Sequence, residues 1–364
     1  MRQISGFIAR PDGSVIEGTV AFSATIERVE PARTSSRDYV LPGLIDLQVN
    51  GTHGMDVPSA SVDDLTDISR YLAREGVTTY LPTAITAPLE SLIRVDRNIG
   101  EFRRLNPDPS DIATAAGLHL EGPFISRRYL GAHPPTTLEP VGPGLDRVLA
   151  LTQLRLLTMA PELPGAAAAI RRAAARGVAV AIGHTDAGFA QAQSAIEAGA
   201  RMFTHVFNAM RPLHHRDPGV IAAALTPSPA FAAVIADGVH VHPQVLALVY
   251  RSRGAAGMIL TSDKVGGAAG ERAALPPNNG RTAARDGDGR LAGSLAPLLD
   301  GVRLMVQQVG ASAGEAALMA SSNPAALIGL RGRGRIEAGY RADLLVLDGR
   351  LNLKAVFIAG CELE

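Results

Sequence analysis

The fold of this chain is constrained most by a repeated alternation of apolar, strand-like runs with helical patterns. Strands that alternate with helices through short loops form right-handed βαβ units, and these units build a parallel sheet. Eight units predict an α/β fold of the (β/α)8 TIM-like barrel type, although the pattern alone also fits a doubly wound sheet. The predicted strands are residues 44–50, 77–85, 112–121, 156–162, 178–184, 202–208, 232–240 and 258–263.

Both ends of the chain carry short strand patterns separated by turn residues. The segments 1–41 and 335–364 are each too small to bury a core alone. We therefore expect them to pair into one small β domain, with the barrel occupying residues 42–334. A length of 364 residues suits one barrel-sized domain with such a satellite.

Composition and charge exclude several classes of partner. The chain has 35 Lys and Arg against 35 Asp and Glu, so no overall field favours nucleic acid or an anionic membrane. No apolar run reaches membrane-spanning length, and the first 30 residues lack the pattern of a signal peptide. The single cysteine, Cys361, cannot form an internal disulfide. We expect a soluble, cytoplasmic protein.

Polar residues concentrate where the predicted strands end. In a (β/α)8 barrel, catalytic residues lie at the C-terminal ends of the strands. A single histidine at such a position is usually a core or loop residue, but several from separate strands indicate a functional site. The polar strand-end residues are Gln48, Asn50, His119, Glu121, His184, His205, Asp237, His240 and Asp263.

Three of these residues form a candidate metal site. A catalytic zinc ion takes three protein ligands and keeps one position open, and a carboxylate with two imidazoles suits it. Glu121, His184 and His205 would supply that set. For Glu121 the alternative is a capped strand end, in which the carboxylate pairs with Arg127 or Arg128.

Other residues are candidates for catalysis and for binding an anion. Asp263 could take a proton from water and deliver it to a leaving group, or it could be a helix N-cap. Consecutive backbone N–H groups at 208–210 can cradle an anion. Arg216 could pair with phosphate or be plain surface charge. The Gly- and Ala-rich connection 264–291 is long enough for a mobile lid, or it has no function.

The motifs together resemble the amidohydrolase superfamily, and within it the deacetylases of 2-acetamido-sugar 6-phosphates. The matches span nearly the whole chain, and LHLEGPF with THxxNAM is specific to the deacetylases. The matching pieces are LPGLIDLQVNG (41–51), GLHLEGPF (117–124), GAHPP (131–135), GHTDA (183–187), FTHVFNAMRPL (203–213), ADGVHV (236–241), TSD (261–263), LAGS (291–294) and GYRADLLVLD (339–348).

The resemblance implies a barrel with a β-sandwich built from both termini, and hydrolysis of the acetamido group of N-acetylglucosamine 6-phosphate. It also implies that Asp263 is the general acid and base, that His133 polarises the amide carbonyl, and that Arg216 reaches the neighbouring active site of a homodimer. The metal ligands it implies are Glu121, His184 and His205. The substrate-binding residues it implies are Ala132, His133, Asn208, Ala209, Arg216 and His240.

The chain departs from the superfamily pattern in two places. Gln48 and Asn50 replace a His-x-His pair that supports a second metal, so we expect one divalent ion per subunit, zinc. Lys264 stands where a small residue is expected after Asp263. Three alternative functions are the galactosamine epimer as substrate, a cyclic-amide hydrolase, and a non-catalytic sugar-phosphate sensor. The absence of a lysine on the fourth strand counts against the cyclic-amide hydrolase. The intact ligand trio counts against the sensor.

Overall fold

The computed structural model describes residues 1–266, 283–285, 289 and 291–364. Most of the connection 264–291, for which a lid was one interpretation, lies outside the described residues. Among those that are described, no helix is both long and apolar enough to cross a membrane.

The central domain is a barrel of eight parallel strands. Each strand pairs with the next one along the chain, from first to last. A parallel bridge between Val49 and Lys264 then brings the end of the last strand against the first. The strands are β1 (Leu44–Val49), β2 (Val77–Ile85), β3 (Leu118–Glu121), β4 (Leu154–Met159), β5 (Ala179–Ile182), β6 (Met202–Phe203), β7 (Phe231–Ile235) and β8 (Met258–Thr261).

Helices cover the outside of the barrel, and local signals explain where several begin. Ser61 and Asp64 form a capping box at the start of the first helix, and Pro243 occupies the first turn of another. The α-helices are Val62–Arg74, Leu89–Leu105, Val141–Leu149, Ala166–Ala175, Phe189–Ala198, Gly219–Leu225, Pro243–Arg253, Leu298–Leu304, Ala313–Ala317 and Asn323–Leu327.

Apolar side chains fill the lower part of the barrel. Leu47, Leu81, Leu156 and Ile259 point inward from different strands and are at most 1% exposed. Short elements after the last strands close the bottom of this core, where Ile328 packs against it. A packed interior leaves the upper rim as the place for a site.

The terminal segments form one seven-stranded sheet beside the barrel. Alternate side chains of its strand Leu344–Leu347 belong to two cores: Leu344 and Val346 face a small separate core, whereas Leu345 and Leu347 join the barrel core. The sheet order is Cys361–Glu362, Leu353–Ile358, Leu344–Leu347, Tyr39–Pro42, Arg2–Ala9, Val15–Phe22 and Ile26–Pro31. The predicted fold, a barrel with a small β domain from both termini, is confirmed.

Lys264, unexpected after Asp263, has a structural role. Its side chain is 5% exposed, and Nζ lies 2.8 Å and 2.7 Å from the two carboxylate oxygens of Glu75. Its backbone N–H donates to the carbonyl of Gln48, and its own carbonyl accepts from Asn50. Lys264 therefore joins the last strand to the first and anchors both to the end of the first barrel helix.

Candidate active site

The candidate site is built around the buried carboxylate of Glu121, the last residue of β3. Its Oε1 lies 3.0 Å from Nε2 of His184 and 3.0 Å from Nε2 of His205, which follow β5 and β6. Gln48 of β1 donates its side-chain amide to the same oxygen at 3.0 Å. Groups from four barrel strands or the turns after them therefore meet at one carboxylate oxygen.

Glu121, His184 and His205 could hold a metal ion, because their ligand atoms all lie within 4.8 Å of one another. Nδ1 of His184 is 2.9 Å from the carbonyl oxygen of Tyr129, which can only accept, so the neutral ring turns its Nε2 lone pair towards Glu121. A lone pair and a carboxylate oxygen at 3.0 Å repel unless a cation or proton is shared. The donor set fits catalytic zinc.

The histidines also determine the charge of Glu121. Burial alone would raise the pKa of this carboxyl group, but His184, His133 and His205 hold the pKa well below its usual range. Neither candidate arginine contacts Glu121: Arg127 donates to the carbonyl of Pro135 at 3.5 Å, and Arg128 pairs with Asp186 at 2.6 Å. The alternative in which an arginine caps Glu121 is therefore wrong.

The backbone at the site adopts an uncommon conformation. His184, His205 and Asp263 have positive φ values of 49°, 27° and 52°. This left-handed region costs a non-glycine residue of the order of 1 kcal/mol or more and is concentrated at functional sites. The sharp turns end β5, β6 and β8 before these residues and direct their side chains into the barrel mouth.

His119 shares the strand of Glu121 but serves the core. Its Nδ1 donates to the carbonyl of Leu47 at 2.9 Å, and its Nε2 lies 2.9 Å from the hydroxyl of Thr158. That hydroxyl is 2.8 Å from Thr204, so a hydrogen-bonded layer supports the site from below. Both ring nitrogens are occupied, and burial lowers the pKa of His119 to about 4.

His133 approaches Glu121 from another side, with Nε2 3.4 Å from Oε2. Nδ1 lies 2.7 Å from the hydroxyl of Thr86 and 3.3 Å from its backbone nitrogen. Because a backbone N–H can only donate, Nδ1 accepts and Nε2 carries the ring proton. Within the described part of the chain this buried N–H has no hydrogen-bond partner, which suits a donor aimed at a ligand. A Cβ at Gly122 would lie 2.2 Å from the Thr86 hydroxyl, so this close approach requires glycine.

Asp263 lies at the rim beside this group. Asn50 donates its side-chain amide to Oδ1 of Asp263 at 2.8 Å. Burial, reinforced by the charge of Glu121, raises the pKa of Asp263, which suits a group that exchanges protons. Below it, Asp46 accepts from the Thr261 hydroxyl at 3.0 Å and holds the first and last strands together.

These residues surround a cavity of about 530 Å³ at the C-terminal ends of the strands. Besides the metal-site residues, His133 and Asp263, four predicted substrate-binding residues line it: Ala132, Asn208, Ala209 and His240. The backbone N–H of Asn208 already donates to the carbonyl of His205 at 3.0 Å, so the anion cradle predicted at 208–210 lacks this donor. The cavity also includes residues that the motifs did not single out, namely Asp56, Pro58, Ser59, Ile85 and Val265.

Arg216 lies outside this cavity. Its guanidinium donates to Nε2 of its neighbour His215 at 2.8 Å, and it lines a separate open groove with Arg128 and Arg211. The structure therefore does not bring Arg216 to the site of its own chain.

Comparison with known proteins agrees with this geometry. The model of the amidohydrolase family matches residues 39–362. This chain belongs to the amidohydrolase family. Its relatives in that family include N-acetylglucosamine-6-phosphate deacetylase of Bos taurus, at 38% identity over 88% of this chain and 82% of the relative. Another relative, N-acetylgalactosamine-6-phosphate deacetylase of Escherichia coli O157:H7, is 36% identical over 93% of this chain and 91% of the relative.

Solved structures of family members are also similar. N-acetyl-D-glucosamine-6-phosphate deacetylase from Mycobacterium smegmatis matches all of both chains with a TM-score of 0.90 at 29% identity. A mutant of that enzyme in complex with N-acetyl-D-glucosamine-6-phosphate has a TM-score of 0.87 at 28% identity, over 99% of this chain and 98% of that one. The resemblance to the family and to its sugar-phosphate deacetylases is confirmed.

The buried His119 predicts a pH dependence of stability. Its pKa is about 4 in the folded protein against an ordinary value of 6.5. Between these values only the unfolded chain binds the proton, so stability falls as pH falls from 6.5 towards 4, by at most about 3 kcal/mol from this group. Urea unfolding in the presence of a chelator, at several pH values, should show a shallower dependence for His119→Gln. Equal slopes for variant and wild type would contradict this origin.

Proposed function

We propose that this protein is a metal-dependent deacetylase that hydrolyses N-acetylglucosamine 6-phosphate to glucosamine 6-phosphate and acetate. The observation that carries the proposal is the juxtaposition, at one barrel mouth, of three kinds of group. Glu121 with two imidazoles can hold a metal ion, Asp263 can exchange a proton, and the N–H of His133 is a buried donor. Metal-assisted amide hydrolysis uses all three, whereas a sensor of sugar phosphates needs neither proton exchange nor a metal ion.

The side chains divide the chemistry between them. When bound, a divalent ion supplies Lewis acidity and an activated water nucleophile. His133 donates its Nε2–H to the acetamido oxygen as negative charge develops there. Asp263 holds the proton taken from water on Oδ2, since Oδ1 is occupied by Asn50, and delivers it to the departing sugar amine.

The metal is one zinc ion per subunit in this proposal. Its ligands are Glu121, His184 and His205, the nitrogen and oxygen set that catalytic zinc prefers. Gln48 donates an amide N–H to Glu121 and does not present an imidazole for a second ion.

The phosphate lies in this proposal at the end of the cavity formed by Asn208 and Ala209, and Arg216 of a second subunit contacts it. A net-neutral chain offers no general attraction for a sugar phosphate, so a local guanidinium is needed. Support comes from the exposed loop that carries Arg216, which lies outside the cavity of its own chain. We further propose a cytoplasmic homodimer.

The galactosamine epimer is a second candidate substrate, favoured by the Escherichia coli relative at 36% identity. An acetate-release assay with both N-acetylhexosamine 6-phosphates, each with and without the phosphate group and with and without added zinc, tests the proposal. We expect acetate only from phosphorylated sugars and only with metal, with the glucosamine epimer preferred. Release from neither epimer by the metal-loaded protein would overturn the deacetylase proposal.

Asp263→Asn should lower kcat by roughly 100- to 10,000-fold, because the amide cannot take a proton. The hydrogen bond from Asn50 can persist to the amide oxygen, so fold and metal content should change little. Acetate release, metal content and thermal melting should be measured on the same preparation. A variant that keeps wild-type turnover would move the proton-exchange role to another residue.

Glu121→Gln should release the metal ion, because it removes the negative charge at the centre of the site while conserving shape. Elemental analysis should find about one zinc per wild-type chain and much less in the variant. The exposed Glu101→Gln is the matched control and should bind metal normally. Two tightly held ions per wild-type chain would contradict the single-metal proposal.

Arg216→Ala should raise KM for the phosphorylated sugar by roughly tenfold or more, since bonds to charged groups contribute strongly, and leave the unphosphorylated sugar unaffected. Arg70→Ala, at an exposed position of the first barrel helix, is the control. Mixing Arg216→Ala subunits with Asp263→Asn subunits creates hybrid dimers in which one site has both groups intact if Arg216 acts across the interface. Activity with a low KM should return on mixing. No recovery despite confirmed subunit exchange would exclude action in trans.

A further inference from the structure

Asp237, between β7 and His240, does not line the cavity, but its carboxylate forms hydrogen bonds with Val239, His240 and Ser294 among the described residues. Its Oδ1 accepts from the backbone N–H groups of Val239 and His240, each at 2.8 Å. Its Oδ2 lies 2.7 Å from Nδ1 of His240 and accepts from the hydroxyl of Ser294 at 2.9 Å. The side chains of Asp237 and His240 are only 4% and 3% exposed.

These contacts fix which nitrogen of His240 carries the proton. Although burial alone would raise the pKa of Asp237, its bonds with His240 lower that pKa, so the group is a carboxylate. A carboxylate only accepts, and Nδ1 of His240 must therefore donate. His240 lines the cavity, and in its neutral ring the other nitrogen, Nε2, carries a lone pair.

His133 has the opposite arrangement. The backbone N–H of Thr86 donates to Nδ1 of His133, so its Nε2 presents a hydrogen. Apart from the metal-site residues His184 and His205, the cavity is therefore lined by one imidazole that donates and one that accepts. A donor suits the acetamido oxygen, whereas an acceptor suits a group that carries its own hydrogen.

We propose that Asp237 is a positioning residue that sets the tautomer of His240, so that Nε2 accepts a hydrogen bond from a ring hydroxyl of the substrate. The site thereby selects a hydroxyl over a group of similar size that can only accept. The identity of the sugar rests on the function proposed above, but the tautomer does not. Ser294 supports the arrangement, since it also donates its backbone N–H to the carbonyl of Asp263 at 2.9 Å.

The variant Asp237→Asn separates this role from packing, because the amide has nearly the shape of the carboxylate. Two backbone N–H groups require an acceptor at the Oδ1 position, so the amide oxygen must stay there. The NH2 group then faces Nδ1 of His240 and donates to it. The tautomer is inverted, and Nε2 becomes a donor.

Ser294→Ala is the matched comparison. It removes one donor from the same carboxylate oxygen but leaves the negative charge that requires Nδ1 of His240 to donate. Its tautomer should be that of the wild type. A change in activity or in the NMR spectrum that is seen in Asp237→Asn but not in Ser294→Ala is therefore caused by the tautomer of His240, and not by the loss of a hydrogen bond to the carboxylate.

The first measurement is nitrogen NMR of the imidazole rings in the metal-loaded enzyme, with the His240 signals identified by their absence in His240→Gln. We expect a protonated Nδ1 and an unprotonated Nε2 in the wild type and Ser294→Ala, and the reverse in Asp237→Asn. A wild-type ring that carries its proton on Nε2 alone would overturn the proposal, and so would an unchanged tautomer in folded Asp237→Asn. Neither outcome depends on the substrate.

The second measurement compares N-acetylglucosamine 6-phosphate with its 3-deoxy-3-fluoro and 4-deoxy-4-fluoro analogues, since fluorine accepts but cannot donate. One of these positions carries the hydroxyl that contacts His240. Replacing that hydroxyl by fluorine should lower kcat/KM of the wild type by roughly tenfold more than it lowers kcat/KM of Asp237→Asn. Comparing the two enzymes cancels the intrinsic effect of fluorine on the reaction. Equal discrimination by both enzymes at both positions would overturn the role of His240 as acceptor. If no sugar is deacetylated at all, the function proposal fails while the NMR result stands.

Discussion

The arrangement of the site depends on a negative charge buried where water cannot solvate it. Glu121 ends a barrel strand with its carboxylate 4% exposed, and imidazole nitrogens approach one of its oxygens at 3.0 Å. Such a charge is expensive to bury without a partner, so the surrounding groups must compensate it. The same condition makes the position a strong ligand for a cation. The burial of the Glu121 carboxylate thus explains both why it needs a positive partner and why it can bind a metal ion.

Successive layers of hydrogen bonds hold the groups around that charge. Below the metal-site residues, His119 and Thr158 form a closed polar layer, and apolar side chains such as Leu47 fill the barrel beneath them. Beside them, Thr86 orients His133 and Asp237 orients His240. For His133 and His240, the two cavity imidazoles outside the metal site, a neighbouring residue thus holds one ring nitrogen and sets whether the other donates or accepts.

Much of this arrangement could be predicted from sequence, and the errors have physical causes. Each of the eight barrel strands was predicted, because buried parallel strands are continuous apolar runs between helical patterns. The predicted ends of β2 and β3 are correct, but the other six strands end earlier than predicted, most of all β6 and β7. After β5, β6 and β8 the polar residues that mark the site lie in left-handed turns beyond the strands. Thr86 was missed although it directly follows β2, and the partner of Lys264, Glu75, lies 189 residues away. Pairings at that separation depend on the closed barrel rather than on any local pattern.

The small terminal domain imposes an order of events on synthesis. Its central pair joins Tyr39–Pro42 to Leu344–Leu347, which are separated by the entire barrel. A ribosome must therefore complete the barrel before that pair can form. Until then Leu41 and the strand that carries it have an unpaired edge, which is the kind of surface that chaperones recognise and that aggregates when crowded. The small terminal domain, which lies beside the barrel, is therefore the last part of the protein to form.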